Sequence, residues 1–182
     1  MEHHGRSVLS ATCTGLPLNH TGSGPFLADD TAVRTQYGAL CWRLHRARVQ
    51  FLLVTSRETR RWIIPKGWPM ATRTPCEAAA IEAWEEAGVR GEVREDPLGA
   101  FGYLKVMTPI LSVPCAVSVF GLRVTAVERR YPEQDERRRK WFPVEKAMRR
   151  VAEPELRALM LEFSERNGRR GPVESKAKGK SA

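Results

Sequence analysis

The apolar positions fall into short runs of the strand kind, interrupted once near the middle and once near the end by helical spacing. QYGALCWRL (36–44) and VQFLLVT (49–55) are β-like and flank the polar stretch HRAR. SRETRR reads as a loop, WII (62–64) as a short strand and PKGWPMATRT (65–74) as a loop punctuated by Gly and Pro. LGAFGYLKV (98–106) and the long, β-branched PCAVSVFGLRVTAV (114–127) are further strands. ERRYPEQDERRRK is a charged loop and KWF (140–142) a short strand. Pro143 opens the helix VEKAMRR, since proline is tolerated in a first turn. PELRALMLEF (154–163) carries Leu156, Leu159, Met160 and Phe163 on one helical stripe. Strands interleaved with a few helices predict helices packed on the faces of a mixed sheet, an α/β fold.

The strongest local signal lies in TPCEAAAIEAWEEAGV. Thr74 suits an N-cap, Pro75 the first helical position, and Glu77 completes a capping box three residues after Thr74. Gly88 suits the left-handed position that ends a helix. The spacing predicts a helix over 75–87. At about 100° per residue, Cys76, Ala80, Ala83, Trp84 and Ala87 gather on one side and Glu82, Glu85 and Glu86 on the other. The alanines let the helix lie close to a sheet. The glutamates repel one another at i, i+3 and i+4 by a few tenths of a kcal/mol per pair. With no lysine or arginine at helical spacing to answer them, they call for an external cation. Carboxylate oxygens are the ligands that Mg²⁺, Mn²⁺ and Ca²⁺ prefer. On an arbitrary exposed helix such a cluster would be a solvated acidic face. The loop before this helix is what sets it apart.

Residues 67–89 resemble the Nudix box. That pattern runs Gly, five residues, Glu, seven residues, then Arg-Glu-apolar-any-Glu-Glu-any-Gly-apolar. Gly67, Glu82, Ala83, Glu85, Glu86, Gly88 and Val89 match it. Two positions depart: Arg73 stands where the pattern has Glu, and Ile81 where it has Arg. The support that this pair gives the glutamates in the family must therefore be built differently here. QYGALCWR, WIIPKGWP, RRRKWFPVEKA and PELRALMLEF extend the resemblance over roughly residues 34–163, and within the family the chain is most similar to the diphosphoinositol polyphosphate phosphohydrolases.

The resemblance implies an α/β/α sandwich around a mixed β-sheet and a metal-dependent hydrolase of phosphoanhydride bonds. The expected substrates are diphosphoinositol polyphosphates, dinucleoside polyphosphates, or both. It implies Glu82, Glu85, Glu86 and the Gly67 carbonyl as ligands of Mg²⁺ or Mn²⁺. Glu85 or Glu86 would be the catalytic base, with Glu133 and Glu136 as candidates outside the box. A pair of metal ions can activate water, neutralise the phosphoryl group and stabilise the leaving phosphate. Lys66, next to Gly67, is the first candidate for substrate phosphates, followed by Arg43 and Arg61. Arg138 and Lys140 come from the late loop, because guanidinium and ammonium groups suit phosphate. Trp68 is expected either to wall the site or to pack on its own loop.

Composition bounds this reading. With 182 residues, 30 Lys/Arg and 21 Asp/Glu, the chain carries net charge +9 and favours polyanions. Its length suits one domain with tails: a mobile arm over 1–33, a domain over 34–163 and a basic disordered tail over 164–182. No run of 18 apolar residues predicts a membrane span, and MEHHGRSVLSATCTGLPLNH lacks the apolar core of a secretory signal. Cys13, Cys41, Cys76 and Cys115 are scattered without metal-ligand spacing, as expected of free thiols in the cytoplasm. No obligate protein partner is evident. Two other functions compete. The basic tail and arginine-rich loop suit an enzyme removing pyrophosphate from RNA 5′ ends. Arg73 and Ile81 suit a catalytically weak polyanion-binding module.

Overall fold

A computed structural model describes residues 32–108 and 110–168. The elements run β1 (Arg34–His45), β2 (Arg48–Thr55), β3 (Trp62–Ile63), β4 (Lys66–Gly67), α1 (Pro75–Ala87), β5 (Val89–Val93), β6 (Gly99–Thr108), β7 (Leu111–Val127), β8 (Arg139–Pro143), α2 (Val144–Met148) and α3 (Pro154–Gly168). Nearly all the expected arm, Cys13 included, and the tail beyond Gly168 lie outside the described residues. The last helix continues from the predicted stripe to Gly168.

One mixed sheet runs β3-β2-β1-β7-β5, with β4 on β1, β6 on β7 and β8 on β2. β1 and β7 pair in parallel, Arg34 opposite Cys115 through to Trp42 opposite Arg123, and the remaining pairs are antiparallel. Strand alternation sends side chains to two cores. Leu40, Phe51, Leu53 and Phe142 face α2 and α3, where Leu156, Met160 and Phe163 close the layer. Ala39, Cys41, Leu52 and Val54 face α1, meeting Cys76, Ala79, Ala83 and Ala87. The result is the expected sandwich of helices about a mixed sheet. Cys41, Cys76 and Cys115 are free and buried. No helix among the described residues is long and apolar enough to cross a membrane.

Helix α1 has the predicted bounds and caps. The Thr74 side chain accepts from the Glu77 amide and the Glu77 carboxylate from the Thr74 amide, while Gly88 takes φ 58°. Two strands went unpredicted. β4 is only two residues, read as part of a loop. β5, VRGEV, is charged and interrupted by Gly91, and holds its place by pairing with β7. Trp84, on the same helical side by spacing, does not join the core that Ala83 and Ala87 enter. It is half-buried, donates its indole N–H to Glu128 at 3.2 Å and lies under the Arg90 guanidinium.

Candidate active site

The site forms where β4 meets α1. Gly67 pairs with Tyr37 of β1 and Lys66 with Gly38, which pins this turn to the sheet. The 128–138 segment returns over the C-terminal half of α1, its Glu133 amide donating to the Glu85 carbonyl at 3.0 Å. Between these walls lies a cleft of about 500 Å³ lined by Gly67, Glu82, Glu85, Glu86 and Glu133 and by Arg57, Arg61, Lys66, Lys105 and Arg137.

The three helical glutamates do face one cleft, but in unequal environments. Glu82 lies against Gly67 so closely that a Cβ there would overlap its carboxylate. Burial, aided by the charges of Glu85 and Glu133, pushes its pKa up to about 7. Glu86 is buried, and burial pushes it upward against the opposing pull of Arg137 and Lys66. Its Oε2 accepts from the Lys66 amide at 3.2 Å, and its Oε1 accepts from Arg137 Nη2. Thus one arginine does cap one of the three glutamates. Glu85 makes no ion pair among the described residues.

The donor set suits a hard divalent cation. Five glutamates line the cleft, Glu58, Glu82, Glu85, Glu86 and Glu133, and burial together with the charges of Glu85 and Glu133 disfavours the bare carboxylate of Glu82. No three His, Cys, Asp or Glu side chains among the described residues are already gathered around one point. The fit therefore rests on donor chemistry and on the crowding of Glu85 and Glu133 about the partly buried Glu82.

The expected phosphate-binding cations divide. Lys66 and Arg61 line the cleft, Lys66 with its ammonium over the Tyr103 ring and Arg61 paired with Glu153 at 3.1 Å. Burial lowers the Lys66 pKa, with Glu86 opposing. Arg43, Arg138 and Lys140, expected beside Lys66 and Arg61, do not line the cleft. Arg43, near the far end of β1, stacks on Trp141 and donates to Gln50. Arg138 and Lys140 are exposed, and Lys140 shares the strand face of Phe142, away from α1. Alternation turns Arg137 and Arg139 inward instead: Arg139 donates to the Ala87 carbonyl and, at 2.6 Å, to that of Glu128.

Of the outside base candidates, Glu133 lines the cleft and Glu136 does not. Glu136 pairs with exposed Arg57 at 3.4 Å. Trp68 walls the cleft and carries the Lys105 ammonium on its ring, 4.4 Å from the centroid. Lys105, Tyr103 and Gln36 were not foreseen, since only the folding back of β6 brings the first two to this cleft. Tyr103 donates its hydroxyl to the buried Gln36 carbonyl at 2.7 Å.

Comparison with known proteins follows the same outline. A model of the NUDIX domain matches residues 34–163. Nudix hydrolase 13, mitochondrial, of Arabidopsis thaliana is 33% identical over 121 residues, covering 64% of this chain and 60% of the relative. Diphosphoinositol polyphosphate phosphohydrolase 3-alpha of Mus musculus is 31% identical over 123 residues, covering 66% and 71%. Against Nudix hydrolases 13 and 12 of the plant, the chain spans only 60% and 51% of the relative's length. Among solved structures, a C. elegans Ap4A hydrolase aligns with TM-score 0.54 at 20% identity, covering 74% of this chain and 98% of that one. A MutT protein from Methanosarcina mazei Go1 aligns with TM-score 0.56 at 20% identity, covering 77% and 99%. These two likenesses concern the fold. With the glutamate helix, the Gly67 turn and a family match that takes in the whole sheet and most of its flanking helices, the chain belongs to the NUDIX domain family.

Proposed function

We propose that this protein is a phosphoanhydride hydrolase that works with Mg²⁺ or Mn²⁺ on polyphosphorylated small molecules, diphosphoinositol polyphosphates or dinucleoside polyphosphates. The observation that carries the reading is a single cleft in which Glu82, Glu85, Glu86 and Glu133 stand with Lys66, Arg61 and Lys105. The carboxylates suit a cation, and the ammonium and guanidinium groups suit phosphate. In this reading Glu82, Glu85 and Glu86, with the Gly67 carbonyl, hold the divalent ion, which when bound lowers the pKa of water and neutralises phosphoryl charge. Lys66 and Arg61 orient the phosphates, and their fixed positions supply electrostatic stabilisation without reorganisation. In the same reading Glu85, which has no ion pair among the described residues, takes the proton of the attacking water at its carboxylate. The names of the phosphohydrolase relatives from mouse and human support the substrate class. The free, buried thiols support a reducing compartment such as the cytoplasm.

A second reading, a weakly catalytic polyanion-binding module, draws on Arg137 capping Glu86 and on Arg73 and Ile81 in the box. One panel separates the two. The protein is incubated with Mg²⁺ or Mn²⁺ and a diphosphoinositol polyphosphate, a diadenosine polyphosphate or 5′-triphosphate RNA, and phosphate release is followed. Turnover of either of the first two, absent for RNA, supports the proposal. Turnover of RNA alone reassigns the substrate. Folded protein that turns over none of them contradicts the hydrolase reading and favours the binding module.

A further inference from the structure

Arg137 lies outside the Nudix box, and with Glu86 it is one of the two most enclosed charges in the cleft. Only 5% of its side chain is exposed. Each of its three nitrogens is engaged by a different part of the chain. Nε donates to Glu133, Nη2 donates to Glu86 of α1, and Nη1 donates to the Thr55 carbonyl at the end of β2, at 2.9 Å. A planar guanidinium with donors in a fixed fork can hold two carboxylates at a set separation, which an ammonium cannot do. An arginine reserved for substrate would point its fork into the cleft, whereas this one spends it on protein acceptors.

We infer that Arg137 is the positioning residue of the carboxylate cluster. It holds Glu86 and Glu133 on two sides of one guanidinium and so makes Glu133 a fourth carboxylate of the divalent-ion site. The inference rests on the reading of that cluster as a metal site. It also answers what supports the glutamates when Ile81 and Arg73 occupy the two supporting positions of the box. Without Arg137, two carboxylates in a partly dry place lose the charge between them, and Glu86 keeps only the Lys66 amide. A partner behind metal ligands of this kind is worth about 10- to 100-fold in metal affinity or activity.

The test compares wild type, Arg137→Lys, Arg137→Met and Glu133→Gln. Mn²⁺ binding is measured by electron paramagnetic resonance on the protein alone, and kcat and KM on whichever panel substrate is turned over. Arg137→Met is expected to weaken Mn²⁺ binding about 10- to 100-fold and to lower kcat by a similar factor, with KM within about threefold. Arg137→Lys should fall between it and wild type, and Glu133→Gln should weaken Mn²⁺ binding several-fold. Should Arg137→Met not fold, Arg137→Lys and Glu133→Gln carry the test. Wild-type Mn²⁺ affinity in the folded variants overturns the inference. So does a rise in KM alone, which would make Arg137 a substrate contact. If the wild type binds Mn²⁺ but turns over nothing in the panel, the hydrolase reading fails while the Mn²⁺ comparison still decides the role of Arg137.

Discussion

The carboxylate of Glu82 fills the space that a Cβ on residue 67 would occupy. Helix α1 and the β4 turn therefore approach as closely as they do because position 67 has no side chain. An added methyl displaces the end of a flexible glutamate and leaves the backbone in place. Gly67→Ala should fold with a melting temperature near wild type yet lose about 10- to 100-fold in turnover, as displaced metal-site groups do. Thermal melting and phosphate release on the same preparation check this. Undiminished turnover would show that the position of Glu82 is immaterial.

Gly88 makes the opposite demand. It sits at φ 58°, and a Cβ would overlap the Tyr131 ring and come within 2.6 Å of the Arg139 guanidinium, two groups that stack on each other. Left-handed backbone costs a non-glycine residue about 1 kcal/mol, and the clash adds to it. Gly88→Ala is therefore expected to lower unfolding free energy by about 2 kcal/mol or more, read as a shift of the urea midpoint at unchanged slope.

How far the sequence reaches differs between these two features and the rest of the site. Thr74, Pro75, Glu77 and Gly88 delimit α1 through contacts within a turn or two, so the helix and its glutamates were legible from spacing alone. Of the cations only Lys66 and Arg61, close to the box in sequence, were legible in the same way. Which of Arg137, Arg138, Arg139 and Lys140 turns toward α1 depends on the parity of β8 against β2, set by Thr55 and Val54 bonding back to this stretch. Reading RRRK as a charged loop hid that alternation and favoured the two residues that face away. Lys105 was hidden for a similar reason, because only the β6–β7 pairing brings it over Trp68.

That division predicts a kinetic pattern. Arg43→Met, Arg138→Met and Lys140→Met should leave KM within about twofold, whereas Lys66→Met and Lys105→Met should raise it about 10- to 100-fold, as expected for a charged contact worth about 1.5–3 kcal/mol. Steady-state kinetics on the preferred polyphosphate decides the matter. A large KM effect at Arg138 or Lys140 would put the substrate on the opposite face of the sheet.

Stability should depend on pH in a way that reports Glu82. Its pKa stands at about 7 in the fold and near 4.3 in an unfolded chain. Between those values the folded state keeps a proton that the unfolded state has lost. The metal-free protein therefore loses stability as pH rises through this window and levels off above it. Melting temperature in chelator should fall from about pH 4.5 to about pH 7.5, Glu82→Gln should reduce the fall and leave the share due to Glu86, and millimolar Mg²⁺ should restore stability at the upper end. A chelated wild type with a flat profile would mean that Glu82 is already well compensated.

The central claim is that the glutamates beside Gly67 hold a divalent ion that drives phosphoanhydride cleavage. Its most direct measurement is phosphate release from a diphosphoinositol or diadenosine polyphosphate as Mg²⁺ is titrated, in wild type, Glu82→Gln, Glu85→Gln and Glu86→Gln. Saturable dependence on Mg²⁺ is expected in wild type, with a loss of at least about 100-fold in each folded variant. Turnover that persists in chelator, or survives these substitutions at wild-type rate, would contradict it.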